Sequence, residues 1–172
     1  MFKTILCPID GSDHSRKALK LAIDLAGTHG AKLVIQHNML LNADAEELER
    51  FARAEGLGSK IEPEVKRLRA VEGRLNYGFE EPPEGTPRMY AEIGQSLLDG
   101  AKEDAREKGL KDVETVLTDG EAARQILRCI EDRDVDCVIM GSRGLSDMRA
   151  LYLGSVSHKV LNRAPCTCIA VK

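Results

Sequence analysis

The chain has no tryptophan, and only three phenylalanines and three tyrosines among its 172 residues. So few rings leave little with which to stack the bases of a single-stranded nucleic acid. Charge of one sign is also missing. The formal net charge is -3, with basic residues interspersed among acidic ones, so no basic patch offers itself to a phosphate backbone. No apolar run approaches the length of a bilayer span. The start, Met1-Phe2-Lys3-Thr4-Ile5-Leu6, enters an apolar strand at once and lacks the h-region and cleavage site of a signal peptide. These absences set the expectations of no nucleic acid, no membrane and a cytoplasmic protein. The length suits a single domain, residues 1–172, with one sizeable core.

Cysteine is sparse and odd in number: Cys7, Cys129, Cys137, Cys166 and Cys168. Without an export signal, an odd count argues against a disulfide framework. Cys166-Thr167-Cys168 has one intervening residue where redox and zinc motifs have two. The cysteines are expected to be small buried side chains. Catalytic signatures are missing as well. There is no Walker A sequence, no GxSxG elbow and no HExxH.

What is present is a rhythm of apolar strands and amphipathic helices. The first strand, Thr4 to Pro8, is apolar without strict alternation, which suits a parallel strand covered on both faces. Asp10-Gly11-Ser12 makes a turn, and Ser12 or Asp13 can cap a helix running to about His29. Ala18, Leu19, Ala22, Leu25 and Ala26 form its apolar stripe, and Gly30 ends it. A second strand over Leu33-Val34-Ile35 ends near His37-Asn38. A helix from about Met89 to Lys108 places Ile93, Leu97, Leu98, Ala101 and Ala105 on one face. A third strand, Val113 to Thr118, is followed by a helix over Ala122 to Asp132 with Ile126, Leu127 and Ile130 inward. A fourth strand (Cys137–Met140), a helix near Val156–Arg163 and a last strand (Cys168–Val171) complete the pattern. Strands alternating with helices predict a doubly wound, mostly parallel five-stranded α/β sheet. Residues 42–88 break the rhythm with charge, Pro63, Pro82, Pro83 and Pro87, and five glycines. They read as a surface insertion containing two short helices, Glu46–Ala54 and Pro63–Leu75. A lid or a partner-binding arm is the alternative.

After the fourth strand come Gly141-Ser142-Arg143-Gly144, nine residues, then Gly154-Ser155 at a helix start. Strand, glycine-punctuated loop and helix start are what a phosphate needs. Glycine admits close backbone approach and positive φ, and the free N–H groups of the helix point at the anion. In an open α/β sheet, ligands sit at the carboxyl ends of strands where the strand order reverses. Two loops there carry suitable chemistry: Pro8 to Ser12 and the Gly141 loop.

These residues are familiar as a set. Ile5-Leu6-Cys7-Pro8-Ile9-Asp10-Gly11-Ser12 opens the chain. Val138-Ile139-Met140-Gly141-Ser142-Arg143-Gly144-Leu145-Ser146, then Leu153-Gly154-Ser155-Val156-Ser157-His158-Lys159-Val160-Leu161, then Ala164-Pro165-Cys166 close it. With them the chain resembles the universal stress protein family, in its nucleotide-binding branch, over nearly its whole length outside 42–88. The resemblance implies a three-layer α/β/α fold, adenine nucleotide α-hydrolase-like, with strand order 3-2-1-4-5. It implies ATP (or ADP or AMP) with Mg²⁺ in the crevice, and homodimers paired through the last strand. By the same carry-over, Pro8 and Asp10 line the ribose and adenine side. The backbone of Asn38, where family members often have Val, reads adenine. Gly141 and Gly144 approach ribose and α-phosphate, and the N–H groups of Gly154, Ser155 and Val156 hold the β- and γ-phosphates. Ser142, Arg143 and Ser157 complete the candidate set.

Plainer readings stand beside these. The glycines can simply shape turns, and Asp10 can be a turn or cap residue. Ser155 can be an N-cap as well as a phosphate ligand, and Arg143 a solvated surface arginine. His37 and His158 have no second ligand at helical spacing, so they are expected to be structural, and His14 and His29 are assigned nothing. Phosphate cradling without an activator or a nucleophile–base pair points to binding, with at most slow hydrolysis. The expected function is that of an ATP-binding regulatory protein of the stress response, with a protein partner still to be identified. The alternatives are an interaction dimer without nucleotide, or an ATP-using adenylating or pyrophosphatase-type enzyme. The latter needs an SGGxDS-like loop, and Ile9-Asp10-Gly11-Ser12-Asp13 lacks its paired glycines.

Overall fold

A computed structural model describes residues 1–39, 49, 66, 86–144 and 153–172 of the chain. The two short helices expected within 42–88 lie outside the described residues, apart from Glu49 and Lys66, which are both helical. Residues 145–152 of the glycine loop lie outside them too. In chain order the described elements are β1 (Thr4–Ile9), α1 (Asp13–His29), β2 (Lys32–Asn38), α2 (Thr86–Glu107), β3 (Val113–Thr118), α3 (Ala122–Asp132), β4 (Cys137–Gly141), α4 (Ser155–Arg163) and β5 (Thr167–Val171). The five strands pair in parallel in the order β3-β2-β1-β4-β5.

Local chemistry explains the boundaries. The Ser12 hydroxyl accepts the N–H of Ser15 at 3.2 Å and caps α1, and Gly30 at φ 62° ends it. The Glu121 carboxylate accepts the N–H of Arg124 at 3.1 Å and caps α3. α2 begins at Thr86, three residues before the expected Met89. Pro87 then falls in its first turn, where a missing N–H costs nothing. α4 begins behind Gly154, which has no side chain to offer as a cap.

The sheet separates two apolar cores. Alternation along β1 sends Ile5, Cys7 and Ile9 to the side of α1 and α2, where Ala18, Ala22, Ala26, Leu98 and Ala105 meet them. Leu6 and Val34 face the other way, onto Ile126, Ile130 and Val160 of α3 and α4. Leu25, Leu97 and Leu127 are only half-buried, while Ile23 and Tyr90 join the buried set. Cys7, Cys129 and Cys137 are buried as expected, and burial pushes the Cys137 thiol up to about 11. Cys166 and Cys168 are half-buried against the second core, and none of the five is in a disulfide.

β5 is an edge. Its Thr167 N–H is donated to Asp136 O, and its Val171 C=O accepts the N–H of Ser142. Backbone groups alternate along a strand, so the N–H groups of Cys168 and Ala170 turn to the open edge. No helix among the described residues is long and apolar enough to cross a membrane.

Candidate functional site

β1 and β4 share register only at Ile5↔Cys137 and Leu6↔Val138. Pro8, with no N–H for a ladder, follows two residues after Leu6. Where the pairing stops, a cleft of about 210 Å³ opens at the carboxyl ends of the strands. Every candidate residue except Ser142 lines it. Pro8 and Asp10 arrive from the end of β1, and Asn38 from the end of β2. Gly141, Arg143 and Gly144 follow β4, while Gly154, Ser155, Val156 and Ser157 come from the start of α4. Ile9, Ser15, Gln36, Ala122, Ile126 and Met140 line it as well. Sequence reasoning had not singled these out for the site. Gln36 carries a signal in the sequence: it is a polar residue in an apolar strand, two positions before Asn38 and therefore on the same face.

Ser142 sits behind the cleft and braces it. It is 1% exposed. Its N–H is donated to Val171 O at 2.7 Å, and its carbonyl accepts the N–H of Gly154 at 2.7 Å. Its hydroxyl lies 3.3 Å from Nδ1 of His14, a residue with no expected role. Two expectations change here. The N–H of Gly154 is spent inside the protein and is no phosphate donor. The donors left at the start of α4 are those of Ser155, Val156 and Ser157, which have no intrahelical acceptor. The Ser157 hydroxyl meanwhile donates to Gly141 O at 2.8 Å and ties the helix to β4.

The glycines act by space, not by unusual dihedrals. Positive φ occurs at Gly11, Gly30, Gly109 and Gly120, and not at Gly141, Gly144 or Gly154. A Cβ on Gly141 would lie 2.9 Å from backbone atoms of His14 and Ser15, so its absence lets α1 approach β4. A Cβ on Gly144 would lie 2.5 Å from Oδ2 of Asp10. The Asp10 carboxylate accepts the Ser12 N–H at 3.0 Å through Oδ1, which aims Oδ2 at Gly144. Asp10 and Arg143 are the only charged residues among the described lining.

Asn38 is held by its side chain. Nδ2 donates to Gly120 O at 2.9 Å, and Oδ1 accepts from Thr118 at 3.1 Å. His37 is structural: Nδ1–H donates to Ile9 O at 2.8 Å, and burial, the largest effect on it, lowers its pKa and keeps the ring neutral. His158 contacts Asn162. Among the described residues no cluster of three His, Cys, Asp or Glu side chains is placed to hold a metal.

These features define a doubly wound α/β protein with its cleft at the topological switch point of the sheet. The profile of the universal stress protein family matches residues 1–172. A universal stress protein of Bacillus subtilis strain 168, YxiE, is 33% identical over 172 residues, 100% of both chains. The chain belongs to the universal stress protein family. Solved members share the fold. One, in complex with cAMP, superposes with a TM-score of 0.60 at 20% identity over 99% of this chain and 96% of that one. Another, from Archaeoglobus fulgidus in complex with dAMP, gives 0.60 at 15% identity over 100% and 98%.

Proposed function

We propose that the protein binds an adenine nucleotide, ATP before ADP or AMP, in this cleft. It would act as a regulatory protein of the stress response with at most slow hydrolysis. The observation that carries this reading is the bare start of α4. Ser12 and Glu121 each accept one N–H at the starts of α1 and α3, while α4 has no side-chain cap and, among the described residues, its first three N–H groups have no partner beside the cleft. Such donors, with the positive end of the helix dipole, suit a phosphate chain. Pro8, Ile126 and Met140 offer apolar walls to a base, and the Asp10 carboxylate suits ribose hydroxyls. Two solved relatives whose complexes hold cAMP and dAMP support the ligand class. The one carboxylate among the described lining residues, Asp10, is too few for a protein-held ion. Mg²⁺ would therefore arrive on the phosphates, with Asp10 able to hold one of its waters. Among the described lining residues there is no histidine, cysteine or lysine to serve as nucleophile or base, which favours binding over turnover. Mass spectrometry of the denatured purified protein, followed by calorimetry with ATP, ADP and AMP with and without Mg²⁺, tests the reading. Tightest binding of Mg-ATP is expected. Absence of any nucleotide, carried or bound, sinks the proposal.

A further inference from the structure

Gln36 is a polar side chain in an apolar strand, 1% exposed, and it lines the cleft. Its amide lies 3.2 Å from Oγ1 of Thr118. The neighbours dictate which end of the amide makes that bond. Thr118 has one hydroxyl hydrogen. Its other contacts are the His37 carbonyl at 3.3 Å and Oδ1 of Asn38 at 3.1 Å, both acceptors. Asn38 is oriented in turn by the Gly120 carbonyl, which requires Nδ2 at 2.9 Å and so turns Oδ1 to Thr118. The hydroxyl hydrogen is thus spent away from Gln36, and toward Gln36 the Thr118 oxygen can only accept. Nε2 of Gln36 must face Thr118. Oε1 is left buried, with no hydrogen-bond partner among the described residues.

A buried acceptor without a donor is costly and uncommon. One carried by a residue of the cleft wall is relieved by a ligand that brings a donor. Resting on the nucleotide reading above, we propose that Gln36 is the base-selecting side chain of the cleft. Its Oε1 accepts a hydrogen bond from the exocyclic amine of a 6-aminopurine. A 6-oxopurine would set oxygen against oxygen. The amide cannot turn over to accommodate it without giving up its bond to Thr118. The Gln36–Thr118–Asn38–Gly120 chain therefore acts as a polarised relay that holds the acceptor ready.

Calorimetry on the full chain with ATP and with inosine triphosphate, which carries oxygen in place of the amine, reads this directly. The wild type is expected to prefer ATP about tenfold or more, the worth of one matched against one mismatched hydrogen bond. Gln36→Leu, apolar among Ile126 and Met140, should lose most of that preference by weakening ATP while leaving the inosine nucleotide little changed. Thr118→Val offers a second route that keeps Gln36 in place. Freed of its tether, the amide can present Nε2, and the preference should again fall toward one. Equal affinity for the two nucleotides in the wild type overturns the assignment, as does an unchanged ratio in the folded variants. Binding of neither nucleotide overturns the nucleotide reading itself and the Gln36 role with it.

Discussion

At the scale of single residues, neighbouring glycines are doing different jobs. Gly144 abuts the Asp10 carboxylate and Gly141 abuts the backbone of α1. Gly144→Val should therefore displace Asp10 and crowd the cleft without unfolding the chain, since Gly144 itself is exposed. Nucleotide affinity should drop more than about tenfold with the melting temperature nearly unchanged. Wild-type affinity in a folded Gly144→Val protein would remove this glycine from the site. Gly141→Ala should do the reverse. Its methyl meets backbone atoms that cannot move aside cheaply, so a loss of about 1–3 kcal/mol is expected in urea unfolding. His37 supplies a pH dependence. Burial holds its folded pKa below the ordinary imidazole value. Between the two values the unfolded chain binds the proton more readily, so stability rises with pH. The His37 contribution is complete above about pH 6.5 and is lost as pH falls through the folded value. Denaturation curves from pH 7.5 to 5 should show the decline, and an NMR titration of His37 should give a midpoint below the free imidazole. A midpoint at or above it contradicts the burial argument.

At the scale of the element, α4 is the test of phosphate recognition. Ser155 is its first residue, and Gly154 before it has φ -69° and ψ 157°. That is the conformation a residue preceding proline prefers, and the first helical position is where proline is best tolerated. Ser155→Pro should leave α4 intact while deleting one donor to the phosphate. ATP affinity is expected to fall about tenfold or more, the range for a hydrogen bond to a charged group. Ser155→Ala keeps the N–H and should keep the affinity. If alanine weakens binding as much as proline does, the hydroxyl and not the backbone is the ligand.

At the scale of the whole molecule, the open edge of β5 is the natural place for self-association, as the family resemblance implies. An uncovered edge is a pairing surface, and a symmetry mate covers it. The N–H groups that face outward are those of Cys168 and Ala170, while Thr167 and Val171 bond to the β4 side. Ala170→Pro should remove an outward donor without cutting the β4 ladder, as edge prolines do. The expected result in sedimentation is a wild-type dimer at micromolar concentration and a folded, monomer-shifted variant. A wild-type monomer refutes the dimer. An equally tight dimer in the variant moves the interface elsewhere.

Much of this architecture is legible in the chain itself. Parallel strands buried on both faces read as apolar runs, so β1, β2 and β4 stand out. Ser12 and Gly30 mark the ends of α1 because capping is local chemistry between residues a few positions apart. Gly141, Gly144 and Gly154 mark the loop by their spacing between a strand and a helix start. Strand order came from the family resemblance and not from the pattern, since an apolar run does not name its neighbour. What only the tertiary structure decided is which polar groups are spoken for. Gly154 and Ser155 look equivalent as phosphate donors, yet Ser142 consumes the first. Gln36 looks like an ordinary strand residue until Thr118, 82 positions away, takes its nitrogen and strands its oxygen. A sequence lists donors and acceptors. Which of them remain unsatisfied depends on partners brought together by the fold, and a ligand reads what remains.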